Sequence, residues 1–140
     1  MQLVVPFAVP VGEAFSYLAD PRNRPEWQSS LRSVSLEDDG PSRVGTRWVD
    51  HTKVGLRFPL EITAMTADEL WAERGEFGPF EATVSLEFGA TSTGCVVTAD
   101  VVLRLRGPRI TDVVSRPATH AAVLAAAADL RRAARILESR

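Results

Sequence analysis

The residue best suited to acid/base chemistry in this sequence is His120. It lies three residues after Pro117 and four before Leu124, on the apolar side of a predicted C-terminal helix. An imidazole that faces an apolar interior can act as general acid or base on an enolisable ketone. The alternatives are a packed histidine with one hydrogen bond, or a histidine at the edge of the apolar stripe near solvent.

Asp50 and Arg74 are the other two candidate catalytic residues, and both lie in predicted strands. Strict alternation places Asp50 on the face of Trp48, and a single β-bulge reverses that assignment. An inward Asp50 is a buried charge that needs a partner; otherwise it lies at the strand end in water. Glu73 and Arg74 occupy opposite faces of one strand. An inward Arg74 would orient a carboxylate, phenolate or thioester carbonyl, whereas an outward one would form an exposed cross-strand charge pair.

Metal and cofactor motifs are missing from the sequence. It contains no Gly-rich phosphate loop, nucleophile elbow or HExxH pattern. The two histidines, His51 and His120, have no cysteine or carboxylate at ligand spacing on one element. The single cysteine, Cys95, excludes an internal disulfide and a multi-cysteine zinc site. We therefore expect neither a metal nor a redox cofactor.

A sheet and a long helix must position these candidates. The β-branched run Gln2–Val9, interrupted by Pro6, predicts a first strand at a sheet edge. Two short helical segments follow, and then six strands from residue 33 to residue 106. After Gly107-Pro108 the pattern is helical to the end. One apolar stripe of this helix is predicted to run through Ile110, Val113, Val114, Pro117, Ala121, Leu124 and Ala128, continued loosely by Leu130, Ala134 and Leu137. The order β-α-α-β-β-β-β-β-β-α predicts an α+β fold.

That order has a consequence for the interior. A sheet of seven antiparallel strands twists and curls, and a single amphipathic helix is available to fill its concave side. The first part of this helix presents alanines at positions 118, 121, 122, 125, 126, 127 and 128. Such small side chains either let the helix sit close to the sheet or leave a void.

Four stretches of the sequence point to a known superfamily. They are Val9–Asp20 in the first helix, Asp20–Trp27 with the pattern Asp-Pro-x-Asn-x-Pro-x-Trp, Val44–Trp48 and Gly94–Thr98. On these motifs the chain resembles the START-like (SRPBCC) superfamily, in particular its polyketide cyclase/dehydrase-type branch. The similarity covers nearly the whole chain.

The resemblance implies a helix-grip fold, in which a seven-stranded antiparallel sheet curls around the C-terminal helix and leaves a deep apolar cavity. The superfamily includes aromatase/cyclases, lipid and hormone carriers and coenzyme-binding proteins. A shared fold does not show which of these functions a member has. No catalytic residue is carried over by position. Nine apolar residues are our candidates for the cavity wall, although ordinary packing in a closed core would explain each of them equally well. They are Trp48, Phe58, Leu60, Trp71, Phe77, Phe80, Val84, Val101 and Leu124.

Composition narrows the class further. A chain of 140 residues, 45% of them hydrophobic, supports one domain over residues 1–140. The net charge of −2 argues against nucleic-acid binding, which usually needs a basic face. The longest uncharged runs have twelve residues, and a membrane span needs about 20. Because no targeting segment is visible, we expect a cytoplasmic protein. We expect it to be a monomer or a homodimer.

Two functions follow from these patterns. The first is an enzyme that encloses a small hydrophobic molecule, polyketide-like, aromatic or lipid, and cyclises or dehydrates it by acid/base chemistry. The second is a non-catalytic carrier or sensor of such molecules. A weaker third interpretation is a partner-binding protein with a closed core and no ligand.

Overall fold

The computed structural model describes residues 2–105 and 112–140, and side chains in the last helix are described from residue 120 onward. The helices are α1 (Val11–Leu18), α2 (Arg24–Trp27) and α3 (Asp112–Glu138), and a 3₁₀ turn at Pro21–Asn23 precedes α2. The strands are β1 (Gln2–Phe7), β2 (Leu31–Leu36), β3 (Arg47–Thr52), β4 (Arg57–Thr66), β5 (Leu70–Phe77), β6 (Phe80–Thr91) and β7 (Gly94–Leu105). The predicted element order is confirmed, whereas the predicted turn at Gly107-Pro108 lies outside the described residues.

All seven strands form one antiparallel sheet with the order β1-β7-β6-β5-β4-β3-β2. The sheet curls, and α3 packs against β7 and β1 on its concave side. The α+β helix-grip fold is therefore confirmed. The first strand, which carries Pro6, is an edge strand as predicted, because proline cannot donate a hydrogen bond to a second neighbour.

The core lies between the concave face of the sheet and the second half of α3. On β7, alternation turns Val97, Ala99 and Val101 inward, and each is at most 4% exposed. Leu130 and Leu137 of α3 are each 2% exposed. Burial of a leucine side chain contributes about 1.5–3 kcal/mol, so this half of the helix anchors the element. The alanine-rich half packs less closely, and that difference creates the site.

The predicted apolar stripe of α3 is wrong in phase over its central turns. Ala121, Leu124 and Ala128 are exposed, although the sequence pattern placed them inward. Val123 and Ala127 are buried in their place, whereas Leu130, Ala134 and Leu137 of the predicted stripe are buried as expected. The four consecutive alanines at 125–128 are equally hydrophobic, so the sequence does not show which of them face the core. The rotation of α3 about its axis is set instead by the larger buried side chains from residue 130 onward. The earlier stripe positions, 113, 114 and 117, have side chains outside the described part.

No helix in the described part of the chain is long and apolar enough to cross a membrane.

Candidate functional site

An inner cavity of about 280 Å³ lies between the sheet and α3. Its sheet wall includes Trp71, Ala82, Val84, Leu86, Ala99 and Val101. Its helix wall is formed by Ala122, Ala125, Ala126 and Leu130. Because alanine ends at Cβ, these helix positions leave open the space that larger side chains would fill. The void that the sequence pattern left as one of two alternatives is therefore present.

A second cavity of about 340 Å³ adjoins the inner one, and Ala82 and Leu103 line both. Its wall is almost wholly apolar and includes Phe58 and Leu60 of β4 and Phe77 and Phe80 of the β5–β6 hairpin. The rings of Phe58 and Phe77 pack with their centroids 4.6 Å apart. Phe77 and Phe80 are 41% and 47% exposed, so this aromatic group reaches the protein surface.

A buried ion cluster forms the polar end of the inner cavity. Arg24, only 4% exposed, donates from Nε to Asp50 Oδ1 at 3.1 Å and from Nη2 to Asp50 Oδ2 at 2.8 Å. Trp48 Nε1 donates to the same Asp50 Oδ1 at 2.9 Å. The third nitrogen, Nη1, lies 3.1 Å from Glu73 Oε2. Asp50 therefore faces inward, and its partner is Arg24.

The two carboxylates of this cluster are held very unequally. Asp50 accepts a two-pronged bond from Arg24, the strongest form of this contact. Glu73 is within ion-pair distance, yet its buried Oε2 has no well-aligned hydrogen bond among the described residues. Burial raises the pKa of Glu73, Arg24 opposes that rise, and the nearby Asp50 adds to it. Burial works to lower the pKa of Arg24, but Glu73 and Asp50 outweigh it and the net shift is upward. The raised pKa and the poorly aligned Oε2 make Glu73 the candidate of this cluster for proton transfer.

A second carboxyl group, Asp129 of α3, lies at the edge of the same cavity. It accepts from the backbone nitrogen of Ser29 at 3.3 Å and from the Ser29 hydroxyl at 3.2 Å. Burial raises the pKa of Asp129, and the bonds from Ser29 lower it in part. The contact ties α3 to the segment that follows α2.

Two tryptophans of the inner wall, Trp27 and Trp71, each have a buried indole nitrogen. Among the described residues neither nitrogen has a hydrogen-bond partner, whereas the indole of Trp48 is satisfied by Asp50. Buried polar groups are normally paired, so these two inaccessible donors are exceptions in the core.

A sequence profile of the family described as "Polyketide cyclase / dehydrase and lipid transport" matches residues 1–140. The chain belongs to this polyketide cyclase/dehydrase and lipid transport family. The superfamily resemblance read from the motifs is thereby confirmed. No curated protein matches the chain.

Solved structures show the same fold at low sequence identity. Protein MLL2253 from Mesorhizobium loti matches with a TM-score of 0.78 and 16% identity, over 99% of this chain and 96% of that one. The di-domain ARO/CYC StfQ from the steffimycin biosynthetic pathway matches with a TM-score of 0.80 and 16% identity, over 100% and 51%. DynU16, a putative protein in the dynemicin biosynthetic locus, matches with a TM-score of 0.72 and 18% identity, over 99% of this chain and 46% of that one. This chain spans about half the length of the latter two.

Within this family member, two of the three predicted catalytic side chains point away from the cavity. His120 is exposed, since at about 100° per residue it lies on the opposite side of α3 from the cavity-lining Ala122. Arg74 is on the outer face of β5, half-exposed, and pairs with Glu76. Of the alternatives that the sequence left open, the structure therefore has the outward one for both side chains: His120 lies near solvent, and the alternation of β5 turns Glu73 inward and Arg74 outward.

The predicted wall residues divide in the same way. Trp71, Val84 and Val101 line the inner cavity, and the predicted aromatic residues of β4 and of the β5–β6 hairpin line the second cavity together with Leu60. Trp48 is buried behind the wall, with its ring centroid 6.2 Å from that of Trp71. Leu124 is 59% exposed and faces outward, because it shares the phase error of α3.

The sequence pattern missed Arg24 and Trp27 as site residues, and it left open whether Glu73 or Arg74 faces the cavity. Arg24 and Trp27 lie inside the Asp20–Trp27 motif, which was used only to recognise the superfamily. Glu73 follows Trp71 by two positions and therefore shares its face. The size of Trp71 was the signal that its face is the inner one. Among the described residues, no group of three or more His, Cys, Asp or Glu side chains is placed to hold a metal ion.

The raised pKa of Glu73 predicts a pH-dependent stability difference between the native chain and Glu73→Gln. Below about pH 4.3 the carboxyl is protonated in both the folded and the unfolded state. At higher pH the unfolded chain releases this proton while the folded chain retains it, so the native protein loses stability relative to the variant. The loss is at most about 1.4 kcal/mol per pH unit, and it ends once Glu73 ionises in the folded state.

Urea denaturation of both proteins from pH 4 to pH 8 measures this difference. The matched control is Glu87→Gln, which changes an exposed carboxylate on β6 and should track the native protein. A Glu73→Gln variant whose stability parallels the native curve at every pH would contradict the raised pKa.

Proposed function

We propose that this protein encloses a small, mostly apolar molecule between its sheet and α3, and that Glu73 moves a proton on that molecule. The observation that carries the proposal is the position of Glu73, a 6% exposed carboxyl on the wall of an apolar cavity. A carboxyl group in such surroundings titrates closer to neutral pH, where a general acid/base is most effective.

The reaction class that suits this site is proton transfer next to a carbonyl group. As the carboxylate, Glu73 accepts a proton from the carbon beside the carbonyl, and the electron pair moves onto the carbonyl oxygen as an enolate. As the carboxylic acid, it returns the proton to carbon or to a leaving hydroxyl. Arg24 keeps its two bonds to Asp50 throughout and fixes the position of Glu73. Cyclisation and dehydration of a poly-carbonyl chain both consist of such steps.

Binding in an enclosed cavity supplies the rest of the rate enhancement. A cavity that holds a flexible chain in a near-attack geometry can offset about 7–11 kcal/mol of barrier. The steffimycin ARO/CYC and the dynemicin-locus protein, which share this fold, support placing the chain in this reaction class.

The second candidate is a non-catalytic carrier or sensor. The observation in its favour is that the cavity walls are apolar at nearly every position outside the cluster, so that binding needs only burial. The two functions differ in one outcome: a carrier returns its ligand unchanged. Two adjoining cavities argue against a closed core without a ligand.

Filling the inner cavity tests whether it is the binding site. The variant Ala126→Phe places a ring at a position that lines the cavity. It should weaken binding of the probe 2-acetylnaphthalene by at least about tenfold, because the new ring occupies the volume in which the probe buries apolar surface. Ala128→Phe adds the same ring two residues later on the exposed side of α3 and should leave the affinity unchanged. Isothermal titration calorimetry measures both. Equal affinities for the two variants would rule out this cavity as the site.

A further inference from the structure

The turn between β3 and β4 exposes two apolar side chains between two cations. Its sequence is Lys53-Val54-Gly55-Leu56-Arg57. The side chain of Val54 is 83% exposed and that of Leu56 is 45% exposed. Single exposed apolar residues are common, but a group of them marks a surface that contacts another protein or a membrane. The question is therefore whether these two belong to a larger group.

The β5–β6 hairpin supplies the rest of such a group. β3 and β5 are both antiparallel to β4, so the turns that follow them lie at the same end of the sheet. Phe77 and Phe80 flank the β5–β6 turn and are about half-exposed, and the ring of Phe77 packs on that of Phe58 in β4. This contact joins the two hairpins. We call the combined surface the hairpin tips, defined by Val54, Leu56, Phe58, Phe77 and Phe80.

The unpaired charges at the hairpin tips are positive. Lys53 and Arg57 are exposed, and no carboxylate of the described residues lies within ion-pair distance of either. Glu76 and Glu81 on the neighbouring hairpin already have a cationic neighbour, Arg74. The cations that flank the apolar turn are therefore available to an anionic partner.

The shape of the hairpin tips fits a lipid surface better than a second copy of the chain. A stable dimer needs a continuous face of about 800 Å² on each partner, whereas these side chains project from two narrow turns. A bilayer requires no matching shape. It accepts apolar side chains below its headgroups, and anionic headgroups attract the cations beside them.

We infer that the hairpin tips dock this protein on an anionic membrane surface, with Val54 and Leu56 inserted and Lys53 and Arg57 at the level of the headgroups. The inference is independent of the proposed function, because it requires neither a ligand in the inner cavity nor a proton transfer. It adds an orientation. The aromatic end of the second cavity, which lies at the hairpin tips, faces the membrane in the docked protein.

Vesicle co-sedimentation of the full chain tests the inference. The probes are vesicles of phosphatidylcholine alone and vesicles in which about one-third of the lipid is phosphatidylserine. The native protein should bind the anionic vesicles about 10- to 30-fold more tightly than the neutral ones, because two cations reach the charged surface. This preference should decrease as salt is added, since salt screens exposed charges.

Two double variants and one control then locate the contact. Val54→Ser combined with Leu56→Ser should weaken binding to the anionic vesicles by about tenfold or more, because the inserted apolar surface is lost. Lys53→Gln combined with Arg57→Gln should remove the preference for anionic over neutral vesicles. Val44→Ser changes an exposed valine in the loop before β3, at the opposite end of the sheet, and should bind like the native protein.

Three results would overturn the inference. They are a native protein that binds neither kind of vesicle, a Val54→Ser/Leu56→Ser variant that binds as tightly as the native protein, and an equal loss in Val44→Ser. Sedimentation without lipid provides a fourth: a native dimer that Val54→Ser/Leu56→Ser dissociates would assign the hairpin tips to a second copy. None of these results affects the proposed function, because binding of 2-acetylnaphthalene is measured without lipid.

Discussion

Replacing Arg24 with methionine is expected to lower the free energy of unfolding by about 3–5 kcal/mol at neutral pH. The substitution leaves Asp50 and Glu73 buried side by side without a cation, and an uncompensated buried charge is among the most costly defects a core can contain. Arg24 is held by Asp50 at 2.8 Å and by Glu73 at 3.1 Å, so its loss affects both carboxylates. Chemical denaturation of the two proteins at pH 7 measures the difference.

The matched control is Arg22→Met, two residues earlier. Arg22 pairs with Asp20 at 3.2 Å, and both side chains are more than one-third exposed, so its removal should cost at most about 1 kcal/mol. The Arg24→Met deficit should also shrink as the pH falls and Glu73 is protonated. A triple variant that adds Asp50→Asn and Glu73→Gln should recover part of the stability. An Arg24→Met protein as stable as Arg22→Met would show that the cluster is not the buried ion network described above.

Glu73→Gln is expected to lower the rate of proton exchange on a bound ketone by about 10²–10⁴-fold. The probe is 2-tetralone in deuterated water, whose hydrogens next to the carbonyl exchange at a rate that NMR follows directly. Glutamine preserves the shape of the side chain but cannot accept the proton. In the native protein the rate should rise with pH through the raised pKa of Glu73, because only the carboxylate is a base.

Two further variants separate the alternatives for this chemistry. Glu87→Gln, on the exposed face of β6, should leave the exchange rate unchanged. His120→Ala tests the original sequence-based candidate: exchange at the native rate would exclude His120 as the base, and a large loss in this variant would overturn the assignment to Glu73. If the native protein binds 2-tetralone yet exchanges it no faster than Glu73→Gln does, the protein is a carrier.

The architecture was accessible from the sequence because it depends on local patterns. Strict alternation from Phe80 to Phe88 predicts a strand with one buried face, and Pro6 predicts an edge position for β1. The curl of a seven-stranded sheet and the grip on α3 then follow from twist and amphipathicity. The alanines of α3 indicated that a void was one of two outcomes.

The polar site was less accessible, because it depends on contacts between distant residues. Arg24 and Asp50 are 26 positions apart, and no local pattern pairs them. The choice between Glu73 and Arg74 depends on which face of β5 is inward, and Leu70 and Trp71 gave opposite cues. Which face of α3 is buried depends on the large side chains from residue 130 onward. The alanine-rich stretch before them does not show this face, so the sequence pattern assigned His120 and Leu124 to the wrong side of the helix.

The central claim is that a small apolar molecule binds between the sheet and α3, and ¹³C-labelled alanine methyl groups test it most directly. NMR titration with 2-acetylnaphthalene should shift the methyl signals of the cavity-lining Ala82, Ala99, Ala122 and Ala126 along one common saturation curve. The signals of the exposed Ala121 and Ala128 should stay in place. Shifts confined to the exposed alanines, or no shifts at saturating probe, would contradict the claim.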